Sequence, residues 1–423
     1  MAVTYDAPRP GGQPPATVPV SAAGFLYRPE VRRVVWQVVL VVLLIALFGM
    51  IIWNTYFNLK KANVASGLGF WNDVAKFDIS QALIEYSAES SYGQAFWVGF
   101  LNTLLVAAVG VVLATFLGFL MGIARLSSNW VIARLATAYV ETIRNAPLLL
   151  WLFIWYFAVL KSLPEPYKKT PGGDFVIGPD GNRVSGRIEL PGGVLFNSRG
   201  LYLPKVEWHA GSEYVLFAML FGIVAALLIS IWSGRRQRLT GQRFPVLLTT
   251  LALLILGPGL AFLVMGRPAA LEYPVLGPFN LVGGWAIQPE FMALLLGLVI
   301  YTGAYIAEIV RAGILGVPGG QKEAARALGL SGGQTLRLVV IPQALRIIIP
   351  PLTSQYLNLT KNSSLAVAIA YPDLVSVFAG TVLNQTGQAV EVILITMLVY
   401  LTFSLLTSAF MNWFNARMAL VER

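Results

Sequence analysis

Apolar runs of about twenty residues or more recur along this chain, separated by polar or basic connections. A run of about 20 apolar residues is long enough to cross the hydrocarbon core of a bilayer as a helix. The pattern predicts spans over Val34–Leu59, Ala95–Ala124, Leu135–Leu160, Tyr214–Ser233, Phe244–Met265, Phe291–Ile314, Ile347–Ala370 and Val392–Phe414. Pro350-Pro351 predict a break near the start of the seventh. Arginines fall in alternate connections: Arg28, Arg32 and Arg33 before the first span, then Arg125 and Arg134, then Arg235, Arg236 and Arg238, and finally Arg417 and Arg423. Basic residues favour the cytoplasmic side. About eight spans with both termini inside is therefore the self-consistent reading.

The interruptions carry the rest of the organisation. Residues 1–30, rich in Pro, Ala and Gly, read as a disordered cytoplasmic tail. The extra N-terminal helix has its apolar body over 34–57, and residues 60–93 form a polar external loop. Residues 161–213 are rich in Gly and Pro, with strand-like DFVI and RVSGRIEL around a turn at Gly178–Asn182. They predict a small external β-rich lobe, either a docking surface or a solvated spacer. Residues 214–265 hold two spans of their own.

The most structured interruption is 318–342, polar and basic between two apolar segments. Pro318 precedes a short helix over Gln321–Leu328. Gly329 stands where a helix ends in a left-handed residue. Ser331 and Gln334 have capping-box spacing and start a second helix, which Pro342 closes. Ala324, Ala325, Ala327 and Leu328 give the first helix a face that a rigid partner can approach closely.

Composition sharpens this picture. The chain is 57% hydrophobic and 12% charged, with a mean hydropathy of +0.69, about half the charge of a soluble domain. The net charge of +10 is explained by topology-setting loops, not by nucleic acid. There is no cysteine and one histidine, His209, which leaves no disulfide, thiolate metal site or histidine relay. Leu330–Gln334 spells LSGGQ, a signature of ATP-hydrolysing subunits. A nucleotide site also needs a phosphate-cradling loop ending in Gly-Lys, and that dipeptide is absent. No cofactor is expected in this chain.

Glu323-Ala-Ala325, Gly329, Val339, Ile341 and Pro342 together resemble the coupling motif of ABC importer permeases, E-A-A-x₃-G-x₉-I-x-L-P, with Val339 and Ile341 departing mildly from it. Four more stretches resemble permeases of the polar amino-acid uptake family. They are Gly99–Leu104, Tyr139–Pro147 with the LLLWLFIWYF that follows, Ala304–Arg311, and Leu359–Leu365. The likeness covers about 90–160 and 290–415. It implies a type I permease core of five helices, two over 95–160 and three over 290–415. The helix at 34–57, the lobe at 161–213 and the pair at 214–265 are additions to that core.

The resemblance implies an L-amino-acid permease in a bacterial inner membrane. Its implied partners are a second homologous permease, two ATP-binding subunits that hold ATP and magnesium, and a periplasmic amino-acid-binding protein. Residues 318–342 would be the coupling hairpin, with Gly320, Glu323, Ala324, Ala325, Leu328, Gly329, Ser331 and Pro342 at the contact. Asn145-Ala146 and Asn362-Ser363 depart from the family's usual Gly-Thr and Asp-Thr; the second change removes a negative charge beside Lys361.

Charged groups within spans default to function. A free amino acid needs a cation for its carboxylate, and the candidates are Lys361 with Asn362, Ser363 and Ser364; the resemblance implies that this segment, with Asn358, lines the substrate cavity and that Gln355 faces the ligand's side chain. Lys361 is either the carboxylate's partner or a structural cation paired with a neighbouring helix. Glu308 and Arg311, and likewise Glu141 and Arg144, are further candidates for the path; each pair is spaced to meet on one helix face, as a structural ion pair, a gate or a ligand contact. An ion-gradient-driven secondary amino-acid transporter is the alternative, and it predicts inverted repeats.

Overall fold

The computed structural model describes residues 29–61, 66–179, 183–242, 244–277 and 280–418. Residues 1–28 of the predicted tail, residues 180–182 of the predicted turn, and Arg423 lie outside the described residues. The chain divides into two compact units, Met1–Gly67 and Leu68–Arg423. The first holds helix α1, Pro29–Lys61, whose apolar side chains are exposed from Val34 to Phe57.

The second unit begins with a loop whose Phe70 and Trp71 pack against Phe96 and Phe378. Ser91 then opens α2, Tyr92–Ala124, with a complete capping box. The predicted third span is not one helix. It starts earlier, as α3 (Trp130–Arg144), and turns by 107° into α4 (Leu148–Phe153), which widens into a π-helical turn over Ile154–Leu160. Pro147 explains the bend: it lacks an N–H and pushes Ala146 out of helical geometry. The Trp151 indole donates to the Ile143 carbonyl at 3.2 Å, occupying a group that the end of α3 leaves free.

The lobe contains β1 (Ile188–Leu190), β2 (Val194–Asn197), β3 (Gly200–Leu203) and β4 (Lys205–Trp208). Helices α5 (Ser212–Thr240) and α6 (Val246–Val264) follow. The connection after α6 is itself structured. It carries β5 (Ala269–Glu272), β6 (Val275–Leu276), β7 (Leu281–Val282) and β8 (Trp285–Ile287). The main sheet has the order β1-β2-β3-β8, and β4 pairs with β5. Leu201 sits opposite Ile287 and Trp208 opposite Ala269. These strands are too short for an alternating pattern to announce them, and β5 and β8 have partners that lie across two helices in sequence. Pairing β4 with β5 also fixes one end of the α5–α6 hairpin at the lobe. Phe196 packs on the helical core and Ser198 N–H donates to the Pro164 carbonyl at 2.9 Å, seating the sheet there.

Helix α7 spans Pro289–Leu315 and leads into α8, Gly319–Ala327. The next stretch runs helically from Gly332 to Ile369 as one 38-residue span, with α9 (Ile341–Asn362) as its regular part. Pro342 therefore does not close the second helix of the hairpin, and Pro350-Pro351 do not break the span. Pro342 follows a π-helical turn over Leu336–Val340, in which the Ile341 N–H reaches back to the Leu336 carbonyl, and such a local widening of the ladder accommodates a missing N–H. Burial of Ile348, Ile349 and Leu352 holds the helix together past the double proline. The chain tightens into 3₁₀ turns over Ser363–Ile369, forms a π-helical segment over Val375–Val382, and ends in α10, Ala389–Met418. Among the described residues seven helices are long and apolar enough to span a membrane, or eight if α3 and α4 count as one. The chain is a mostly helical, multi-pass membrane protein.

The central contact joins α2 to α7. A Cβ on Gly118 would lie 2.4 Å from Ile306 Cγ2, and one on Gly122 would lie 2.7 Å from the Ala307 carbonyl oxygen. Small residues let the two backbones approach. Gly118→Val is expected to wedge them apart, at a cost of about 1–3 kcal/mol. The check is the thermal unfolding midpoint of the purified chain, which should fall.

Candidate functional site

Two features inherit sequence candidates, an ion cluster where α2, α3 and α7 meet and the hairpin that follows α7; a third, a polar network around residues 371–374, does not. The cluster centres on Glu308. Its carboxylate accepts from Arg311 Nη2 at 2.6 Å, contacts Arg125 Nη1, and has Arg144 Nη1 at 3.9 Å. Arg144 also lies 5.0 Å from the centroid of the Tyr305 ring. The predicted Glu308–Arg311 pair is present, but the predicted Glu141–Arg144 pair is not. The elbow after Arg144 aims its guanidinium at α7, and Glu141 stays exposed on α3. Tyr139 fixes the same helix by donating to the Ile300 carbonyl at 2.6 Å. Arg125, read from sequence only as a topology marker, thus belongs to the cluster; α2 had to be docked on α7 before that was visible.

The hairpin is anchored by Val317 and Val340, which are 2% and 3% exposed within the core. Gly329 has φ +76°. Its N–H donates to the Arg326 carbonyl and the Leu330 N–H to that of Ala325, the bond pair of a Schellman ending. Ser331 and Gln334 form both bonds of the expected capping box. Of the named coupling residues, Gly320, Glu323, Ala324, Gly329 and Ser331 are exposed and Leu328 is 81% exposed. Ala325 is buried, so it is an inward spacer and not part of the outer face. Pro342 is half-buried at the base.

At the far end of α9, Lys361 and Asn358 share an exposed face, with Gln355 and Asn362 half-buried beside it. Lys361 has no carboxylate within ion-pair distance among the described residues, so the structural-cation reading finds no support within this chain. The serines turn inward: Ser363 Oγ donates to the Thr360 carbonyl and Ser364 Oγ to that of Lys361, each at 2.7 Å. Ser363 is fully buried and does not line an open path.

The third feature was not singled out in the sequence. Asp373 is fully buried. Its carboxylate accepts from the Ser376 N–H at 2.8 Å and the Tyr400 hydroxyl at 3.3 Å. Thr103 Oγ1 accepts from the Leu374 N–H at 3.0 Å, and Asn102 Nδ2 donates to the Pro372 carbonyl at 2.9 Å. A Cβ on Gly99 would lie 3.0 Å from Leu374 Cα. Gly99, Asn102 and Thr103 of the Gly99–Leu104 stretch therefore clamp this turn. A signal existed: Asp373 is the sole acid between Glu323 and Glu391. Burial pushes its carboxyl from 3.8 up to about 7.

Residues 218–420 match the family model described as the binding-protein-dependent transport system inner membrane component. The chain is 50% identical over 412 residues to the general L-amino acid transport system permease of Rhizobium johnstonii, covering 96% of this chain and 98% of that one. It is 46% identical to a putative amino-acid ABC transporter permease of Escherichia coli, covering 93% and 96%. It is 38% identical to the glutamate/glutamine/aspartate/asparagine transport system permease of Rhodobacter capsulatus, covering the full length of both.

Glu308→Gln removes the one negative charge facing three guanidiniums and is expected to cost about 2 kcal/mol; Glu141→Gln, which breaks no ion pair, should leave the unfolding midpoint unchanged. Asp373 sets a pH dependence. Its folded-state value is raised, so its stabilising contribution is full below 3.8 and is lost as pH rises through about 7. Unfolding midpoints recorded between those values should decline for the native chain and decline less for Asp373→Asn.

Proposed function

The chain belongs to the amino-acid permeases of the binding-protein-dependent ABC transport family, and from that premise we propose that it is one permease of an ATP-driven importer of L-amino acids. Hairpin 318–342 docks in a groove of an ATP-binding subunit, and a periplasmic binding protein delivers the substrate. ATP hydrolysis takes place on the partner, which holds ATP and magnesium. A second homologous permease and a second ATP-binding subunit complete the assembly in a bacterial inner membrane. Both termini and the hairpin face the cytoplasm and the β lobe faces the periplasm.

The observation that carries this reading is the hairpin itself. A short polar helix, closed by the left-handed turn at Gly329 and followed by the Ser331–Gln334 capping box, presents an 81% exposed Leu328 beside exposed Glu323 and Ala324. An exposed leucine at the tip of a fixed element is costly in water and suits a partner's apolar groove. Force applied there reaches the core through Val317 and Val340 and meets the Glu308 cluster, about three turns up α7. The carboxylate of the amino acid is read by Lys361, whose exposed face with Asn358 and Gln355 is closed by the second permease. The relatives named for general L-amino acid transport and for glutamate, glutamine, aspartate and asparagine transport support a substrate range that is not confined to cations.

The test is uptake and ATPase activity of the reconstituted complex. Glu323→Ala removes a docking contact. Gly329→Ala forces a side chain into left-handed backbone, at about 1 kcal/mol. Both should lower uptake and substrate-stimulated hydrolysis together. Normal values of both in a fully assembled complex would refute the coupling role.

A further inference from the structure

The hairpin α5–α6 sits in an unusual charge environment. Between Glu213 and Glu272 the sequence has no acidic residue, yet it holds Arg235, Arg236, Arg238, Arg243 and Arg267. From Tyr214 to Arg235 the helix rises about 32 Å, close to the thickness of a hydrocarbon core. Three of these arginines therefore sit together where α5 leaves the bilayer, at the end opposite the β lobe. None of the three has a carboxylate within ion-pair distance among the described residues.

The elbow is built. Arg236 lies 5.2 Å from the Trp232 ring centroid, and its Nη2 donates to Gln242 Oε1 at 2.8 Å. Trp232 meets Phe244 edge-on at 5.5 Å. Gly241 ends the helix in a left-handed turn. Arg236 is thus committed to holding the turn, while Arg235 and Arg238, one helical turn apart, remain exposed. Around them the surface is apolar: Leu239 is 85% exposed, Leu247 73% and Leu248 70%. No residue of α6 is buried. Unneutralised cations bordered by exposed leucines match an amphiphile with an anionic head and acyl chains. An acidic soluble protein surface would satisfy the charge and leave the leucines in water.

We propose that the elbow joining α5 to α6 is a binding site for an anionic phospholipid. Arg235 and Arg238 take the phosphate of the headgroup, Trp232 sits at headgroup depth, and the acyl chains run along α6. Arg236 is a positioning residue that orients Trp232 and the turn. The site rests on the membrane-spanning character of the chain and is independent of which solute it transports.

The test uses the full chain in its assembled complex, placed in phosphatidylcholine nanodiscs with or without phosphatidylglycerol, with retained lipid counted by native mass spectrometry. The native chain should retain phosphatidylglycerol selectively. Each arginine near an anionic surface is worth about fivefold in affinity, so Arg235→Gln with Arg238→Gln should weaken retention by more than tenfold. The double Lys variant should keep most of it, and Arg267→Gln at the opposite end should change nothing. Unchanged selectivity in the double Gln variant would overturn the proposal. So would full competition by inorganic phosphate, which would make the site one for a free anion. Loss of the ATP-binding subunits from the double Gln variant in pure phosphatidylcholine would also overturn it, and would reassign the arginines to protein docking.

Discussion

The close approach of α2 and α7 is the contact on which the other features depend. Gly118 and Gly122 leave room for Ile306, the Ala307 carbonyl and Val310, and only at that separation does Arg125 reach Glu308. In lipid there is little hydrophobic gain from pressing two helices together, so packing and polar contacts decide the geometry. The glycines supply the packing and Glu308 the polar contact. Because Arg144 and Arg311 converge on the same carboxylate, one residue registers three segments against each other about three turns above the hairpin.

The two ends of the core are stabilised by different means. At the hairpin end the ties are ionic and partly exposed, which suits contacts that must exchange partners as the transporter cycles. At the end near Asp373 they are buried hydrogen bonds, with Asn102, Thr103, Ser376 and Tyr400 enclosing a turn that carries a left-handed Ala370. These bonds favour one arrangement of the turn, although the buried Asn102 Oδ1 finds no partner. The partly exposed ion pairs thus lie toward hairpin 318–342 and the buried hydrogen bonds lie away from it.

The added elements follow a separate logic. Helices α5 and α6 pack on each other, with Gly222 against the Leu253 carbonyl, and expose apolar surface on their remaining faces. The paired strands β4 and β5 hold one end of this hairpin at the lobe, and the other end bears arginines without acidic neighbours.

Much of this was legible in the residues. Span positions follow from hydrophobic run length, because the bilayer admits few alternatives. The hairpin was legible down to Gly329 and the Ser331–Gln334 box, since capping and left-handed turns are local chemistry. Pro342 and Pro350-Pro351 misled, because burial of their neighbours keeps a helix going that local rules would end. Pro147 did the reverse, bending a run that hydropathy alone reads as one span. The strand at Trp285–Ile287, the partnership of Arg125 and Arg144 with Glu308, the inward turn of Ala325 and Ser363, and the clamp on Asp373 were decided only by tertiary structure. Each joins residues far apart in the chain or selects one face of a helix. Sequence by itself determined which segments enter the membrane and where the chain must turn; which side chains then share a carboxylate or a carbonyl was settled by how closely the helices pack.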